Sequence, residues 1–177
     1  MGGTLMTERV LVAYATKCGS TAEVAQAVGR VLTEAGAEVT LAPVQKIKDL
    51  SPYTAVVLGT CIRMGKPVRE ALRFARRFQG VLNERPSALF SVGLSLREKT
   101  PENNQLAVEY VQPLREIFKP VSLGVFAGKV DHSKLGLPMR IVAQRDDTGA
   151  LAEGDWRDWE SIEDWARGLP AVLMPDS

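Results

Sequence analysis

Apolar runs of strand length alternate with segments of helical period along most of this chain, the pattern of repeated β-α-β units. Residues 9–14 (RVLVAY) read as a buried strand. Residues 20–35 read as a helix that gathers Val24, Ala27, Val28, Val31 and Leu32 on one face. Gly36 suits the end of that helix, because a residue without Cβ enters the left-handed turn that closes helices. Residues 37–42 (AEVTLA) alternate as an edge strand does, and residues 54–59 (TAVVLG), 87–93 (SALFSVG) and 121–127 (VSLGVFA) are further buried runs. Between these runs, residues 68–78 read as a helix with Leu72, Ala75 and Phe78 apolar. Thr100 followed by Pro101 reads as an N-cap with proline at the first helical position, opening a helix to about Phe118. Residues 155–168 read as a closing helix with an acidic cap.

Residues 128–154 break the rhythm. They exceed the usual strand-to-helix connection, hold His132 and carry a polar run, QRDDT, at 144–148, so a partly ordered insertion before the last helix is expected. The fold class is α/β, an open doubly wound sheet, and the whole of residues 1–177 reads as a single domain. Sheets of this kind bind ligands beyond the carboxyl ends of their strands, where the strand order reverses.

The loop after the first strand, Ala15, Thr16, Lys17, Cys18, Gly19, Ser20 and Thr21, clusters hydroxyls and a glycine at a strand-to-helix turn. A helix N-terminus offers unpaired N–H groups and about half a positive charge, which together hold a phosphate without a cation. The alternative reading is an internal capping box, since Ser20 and Glu23 have the required spacing. A nucleotide P-loop is disfavoured because no lysine follows Gly19. A dinucleotide fold is disfavoured by the missing G-x-G-x-x-G, and by Ala42 where an acid would end the second strand. A phosphoacceptor receiver would need acids at the end of the first strand, where Tyr14 and Ala15 stand.

Composition adds limits. A net charge of +1 gives no global field to recruit nucleic acid or an anionic membrane. Cys18 and Cys61 are too few for a disulfide framework, so a reducing compartment is the expectation. Met1 to Glu8 show no basic segment followed by an apolar core, and no apolar run reaches the roughly 18 residues that span a bilayer, so a cytoplasmic protein is expected. His132 has no partner histidines or cysteine cluster, so no metal site is expected, and the residue reads as part of an exposed loop.

Thr16-x-x-Gly19-Ser20-Thr21 resembles the FMN-phosphate loop of flavodoxins. The wider chain is more specifically similar to the menaquinone-dependent protoporphyrinogen oxidase family, a flavodoxin-like group. Residues 56–65 (VVLGTCIRMG) resemble that family's third-strand loop, and Pro86 to Val92 followed by Leu94 resemble its fourth strand and loop. Phe126, Ala127 and Gly128, and the Asp-Trp start of the last helix, also fit. The resemblance covers about residues 9–128 and 155–167. It implies a five-stranded parallel sheet of order 2-1-3-4-5 and bound FMN. By position, Thr16, Lys17, Cys18, Gly19, Ser20 and Thr21 would hold the phosphate. Thr60, Cys61, Ile62, Arg63, Met64 and Gly65 would flank one side of the flavin ring, and Val92, Gly93, Leu94, Ser95 and Leu96 the other. Neither ring loop has an aromatic residue, and Met64 stands where the oxidase family shows Tyr. Aliphatic packing by Ile62, Met64, Leu94 or Leu96 would therefore replace stacking and leave the flavin more exposed.

The resemblance implies an FMN-dependent oxidoreductase that passes electrons from a reduced porphyrin precursor or another small molecule to a quinone. The alternative is a non-enzymatic electron carrier between protein partners, and a third reading is an interaction module without flavin. Nucleic acid is not an expected partner, peripheral membrane contact is left open, and the oligomeric state is not legible. Arg63 is the candidate catalytic residue: a cation beside the reduced, anionic flavin raises its reduction potential by Coulomb attraction and favours two-electron turnover. Its other reading is a solvated arginine near a turn. Cys18 and Cys61 fall just beyond strand ends, either as a redox pair or, for Cys61, as small buried filler. The arginines at 69, 73, 76 and 77 read as a solvated helix face or a docking face for an acidic partner. Trp156, Trp159 and Trp165 read as packing residues.

Overall fold

The structure, a computed structural model, describes residues 6–175. The reading of Met1 to Glu8 as free of a targeting segment falls largely outside the described residues. Strand β1 (Arg9–Ala15) leads into helix α1 (Ser20–Glu34), followed by β2 (Glu38–Pro43) and β3 (Ala55–Arg63). A short β4 (Lys66–Pro67), α2 (Arg69–Arg77), α3 (Gln79–Glu84) and β5 (Ser87–Gly93) come next. Then follow α4 (Pro101–Tyr110), α5 (Gln112–Arg115), β6 (Ser122–Ala127) and β7 (Lys129–Val130). Helix α6 (Leu137–Gln144), β8 (Gly154–Asp155), α7 (Trp159–Gly168) and α8 (Pro170–Leu173) complete the chain.

The main strands lie in the order β2-β1-β3-β5-β6, all parallel, which is the doubly wound order expected of five strands. The strand order reverses at β1 and β3, so the loops after these two strands open side by side. Because both faces are covered, alternate residues of one strand feed two separate cores. Val10 and Val12 pack with Val24, Val28 and Leu32 of α1 and Ile162 of α7. Leu11 and Ala13 pack on the other face with Phe74, Leu82, Leu114 and Phe118.

The centre of the first core is set by one close fit. A Cβ on Gly59 of β3 would collide with the ring of Phe90, its register partner on β5. The Phe90 ring lies edge-on to Trp165, at 5.9 Å between centroids, and Trp165 likewise meets Phe126 at 5.6 Å. The Trp165 indole donates to Ser122 Oγ at 2.9 Å, which ties α7 to the outer strand. Trp165 is thus a packing residue, as its spacing predicts.

Four local expectations are corrected. The helix expected to run from Pro101 to about Phe118 divides after Tyr110, because Pro113 has no N–H to continue the ladder. The last helix starts at Trp159 rather than Asp155: Gly154 and Asp155 pair antiparallel with Val130 and Lys129, and Asp158 caps the helix by accepting from the Ser161 amide at 3.0 Å. The insertion is built, with β7, a 3-10 turn at His132–Lys134, and α6. Lastly, β3 runs on to Arg63 and turns back through Met64 and Gly65 into β4, a hairpin the periodicity did not signal. Among the described residues no helix is long and apolar enough to cross a membrane.

Gly59→Ala is expected to destabilise the protein by about 1–3 kcal/mol, because the added methyl has nowhere to go in a close-packed core. Chemical denaturation monitored by tryptophan fluorescence checks this, and Gly168→Ala, where the added Cβ meets open space and the backbone is not left-handed, gives the comparison for a surface glycine.

Candidate functional site

The turn between β1 and α1 is shaped by its own side chains yet left open to a ligand. Gly19 holds a left-handed conformation, φ 89°, at the N-cap of α1. Its amide donates to Thr16 Oγ1 at 2.9 Å, so Thr16 braces the turn. The capping box does not form: no side chain caps α1, and Glu23 pairs instead with Arg157. The first helical bond runs from the Glu23 amide to Gly19 O, and the amides of Ser20, Thr21 and Ala22 before it take no acceptor among the described residues. The Thr21 hydroxyl is fully buried and has no hydrogen-bond partner. Leaving such a group unpaired costs about 1–3 kcal/mol. Three free amides and an orphaned hydroxyl in one turn fit an oxygen-rich anion such as a phosphate monoester.

Lys17, inside the same turn, is engaged elsewhere. Its ammonium binds the Glu70 carboxylate, and this hydrogen bond holds the Glu70 carboxyl below the ordinary range.

The second loop is the β3–β4 hairpin. Met64 (φ 50°) and Gly65 (φ 71°) are both left-handed, as a two-residue hairpin turn requires. Gly65 also sits tight against Tyr110, whose Cε1 would lie 3.0 Å from an added Cβ. Thr60 is fully buried and its hydroxyl donates to Cys61 O at 3.0 Å, so it supports the loop from beneath. Met64 is 99 % exposed at the tip. Arg63 is exposed and forms no ion pair among the described residues.

These loops enclose a cleft of about 260 Å³. Of the residues singled out from sequence, Lys17, Cys18, Ser20, Cys61, Ile62, Arg63, Met64, Val92, Gly93 and Leu94 line it. Thr16, Gly19 and Thr21 belong to the open turn between β1 and α1. Leu96 departs from expectation: it is buried with Ala107 and Ala127 in a small separate cluster and lines no part of the cleft. Ser95 likewise lies outside the cleft, where it begins a 3-10 turn. The aliphatic lining expected from Leu96 is supplied by a segment that sequence reasoning passed over: Leu135, Met139 and Leu151, all from the insertion, face the cleft beside Val130. For Leu135 and Met139 the signal was present in the apolar-rich segment 135–143, which precedes the polar run at 144–148.

His132 belongs to the insertion's framework rather than to an exposed loop. Its Nε2 lies 2.7 Å from the Leu151 carbonyl, which accepts only, so that nitrogen carries the proton. Its amide donates to Glu153 Oε1 at 2.9 Å. Cys18 and Cys61 both border the cleft and are not bridged. Burial pushes the Cys61 thiol above its ordinary range, partly offset by the Lys17 backbone amide, so it stays protonated at neutral pH. Among the described residues no cluster of His, Cys, Asp or Glu is placed to hold a metal ion.

A parallel sheet in this order, with a turn of unpaired amides after β1 and an apolar cleft between the loops of β3 and β5, defines a flavodoxin-type protein. The flavodoxin domain family matches residues 11–145, and the chain belongs to it; the family's cofactor is FMN. Among characterised relatives, protoporphyrinogen IX dehydrogenase [quinone] of Escherichia coli K12 is 28% identical over 174 residues, covering 91% of this chain and 94% of that protein. The enzyme of the same name from Leishmania major is 26% identical over 179 residues, covering 94% of this chain and 76% of its own. A short-chain flavodoxin associated with a non-canonical PDU bacterial microcompartment superposes with a TM-score of 0.64 at 18% identity, covering 97% of this chain and all of the other. Flavodoxin 2 of Bacillus cereus superposes with a TM-score of 0.56 at 19% identity, covering 89% and 94%.

Thr21→Val keeps the shape of the side chain and removes the orphaned hydroxyl. The flavin-free protein is expected to melt about 2–4 °C higher, while FMN binds about tenfold more weakly. Differential scanning calorimetry without ligand and a fluorescence titration with FMN read the two effects separately.

Proposed function

We propose that this chain is an FMN-dependent oxidoreductase that takes electrons from a reduced porphyrin precursor, or a small molecule of similar redox character, and passes them to a quinone. The observation that carries the reading is an unpaired cation, Arg63, at the rim of a cleft whose walls are otherwise largely aliphatic. The two relatives named for protoporphyrinogen dehydrogenation, matched over nine-tenths of this chain or more, support the same reading.

When bound, FMN supplies the two-electron chemistry. The chain's own residues supply position and field. The amides of Ser20, Thr21 and Ala22 and the Thr21 hydroxyl would hold the phosphate. Ile62 and Leu94 would flank the ring, and Gly93 lets the Ile62 side chain pack close: a Cβ there would stand 3.1 Å from Ile62 Cβ. Leu135, Met139 and Leu151 exclude water from the side the insertion covers. From the exposed rim the Arg63 charge would favour the reduced, anionic cofactor by a solvent-screened Coulomb attraction. The same cation suits the carboxylates of a porphyrin precursor lying across the cleft mouth. Among the described residues that line the cleft the one carboxylate, Asp131, is held below the ordinary range by the Ser133 hydroxyl, so it stays ionised at neutral pH and donates no proton there.

A second reading, a carrier that exchanges electrons between proteins, is favoured by Met64, a fully exposed apolar side chain at the tip of the flavin loop. Aerobic and anaerobic turnover of protoporphyrinogen with a soluble quinone separates the two. Sustained quinone-dependent oxidation is expected, and its absence in the FMN-loaded protein would leave the carrier reading. Arg63→Ala is expected to lower the two-electron reduction potential by about 30 mV, equivalent to ~1.4 kcal/mol. A spectroelectrochemical titration measures it, and an unchanged potential would remove Arg63 from the electrostatics of the site.

A further inference from the structure

We propose that Lys134 is a phosphate-binding residue of the flavin site, a cation that the insertion delivers to the turn at Gly19. The inference rests on the FMN reading and adds to it a group that none of the three strand-end loops supplies.

Lys134 ends the 3-10 turn at His132–Lys134. A Cβ placed on Gly19 would stand 3.7 Å from Lys134 Nζ and 3.9 Å from its Cδ, so the ammonium lies directly over the phosphate turn. Among the described residues Lys134 has no ion-pair partner. The acids nearby are committed: Asp131 accepts from the Ser133 amide at 3.0 Å and lies 3.8 Å from Lys129 Nζ. Glu23, in the first turn of α1, is bound to Arg157, and Glu70 is bound to Lys17. Positive potential from the helix N-terminus, free amides, a buried orphaned hydroxyl at Thr21 and the Lys134 ammonium therefore converge, while the nearby carboxylates of Asp131, Glu23 and Glu70 are each engaged by another cation. A phosphate monoester, carrying nearly two negative charges and three acceptor oxygens, satisfies all of these groups together.

The placement of Lys134 is itself braced. The bonds from His132 to Leu151 O and from Ser133 to Asp131 fix the turn that carries it. Leu135, the next residue, faces the cleft. The insertion thus meets both ends of the cofactor, with the ammonium at the phosphate and aliphatic side chains toward the ring.

The test compares FMN with riboflavin, which has the same ring and no phosphate, by quenching of flavin fluorescence on the full-length, flavin-free protein. Lys134→Ala is expected to raise the dissociation constant for FMN about tenfold and to leave that for riboflavin within about twofold, as loss of one charge-assisted bond to phosphate requires. Lys134→Arg keeps the charge and is expected to hold FMN within about threefold of the natural protein. Equal weakening of both flavins, an unchanged FMN constant in Lys134→Ala, or a Lys134→Arg variant as weak as the alanine would each overturn the proposal. Natural protein that binds FMN no more tightly than riboflavin would instead overturn the phosphate-turn reading beneath it, and that result appears without any variant.

Discussion

A helix that starts at the carboxyl end of a central strand cannot satisfy its own first amides, and everything functional in this molecule follows from where those amides point. In α1 the deficit is deepened rather than relieved. Ser20 is placed to cap the helix and does not; Gly19 takes the cap position in a left-handed conformation, and Glu23 turns away to Arg157. The buried Thr21 hydroxyl adds one more unsatisfied group. A chain selected only for stability would close this turn internally, since each such group costs on the order of 1–3 kcal/mol. Unpaired donors retained at a strand-order reversal are the physical sign of a ligand whose oxygens complete the turn.

The rest of the fold keeps that turn in register with the cleft. Gly59 lets the Phe90 ring fill the space between β3 and β5, and Phe90, Phe126 and Trp165 form a contiguous aromatic cluster that draws α7 onto the sheet. Arg157, just ahead of α7, has a buried side chain that binds both Asp155 and Glu23, so the end of the insertion is fastened to the first turn of α1. Core packing and the phosphate turn are thereby coupled through a single guanidinium.

How much of this could be read beforehand depended on which physical signal each element carries. The central parallel strands are continuous β-branched and aliphatic runs buried on both faces, β2 is the exposed edge strand its alternation signals, and the strand bounds fall within a residue or two of those read from sequence, β3 excepted. The position of the turn between β1 and α1 was legible from hydroxyls and a glycine at a strand-to-helix junction, whereas the choice between a capping box and an open turn was not, because it depends on Glu23 pairing with Arg157. The β3–β4 hairpin was not: such turns announce themselves with Asn-Gly or Asp-Gly, and here Met64 occupies the first left-handed position. The insertion was opaque for a different reason. Leu135 and Met139 stand four residues apart, but Gly136 and Pro138 interrupt the helical pattern there, and Leu151 joins them only when the segment folds back on itself through His132 and Glu153. Leu96 shows the converse error, an apolar residue at a site position whose side chain serves the packing of Ala107 and Ala127.

Met64 marks the point at which stability and function part. A left-handed conformation costs a side chain with a Cβ about 1–2 kcal/mol, and glycine or asparagine would relieve it. Burial does not compensate, because the side chain is almost wholly exposed. A strained, solvent-facing methionine at the lip of an aliphatic cleft is explained by contact with something that arrives from outside. The flexible thioether adapts to an apolar surface of any outline, and Arg63 beside it supplies a positive charge at the same rim. A carrier that docks a protein and an enzyme that receives a flat, carboxylate-bearing molecule would both use the apolar tip. The unpaired arginine at the same rim favours the second, since a partner protein could meet Met64 alone, whereas a small acidic substrate needs the cation to hold its orientation against the cleft.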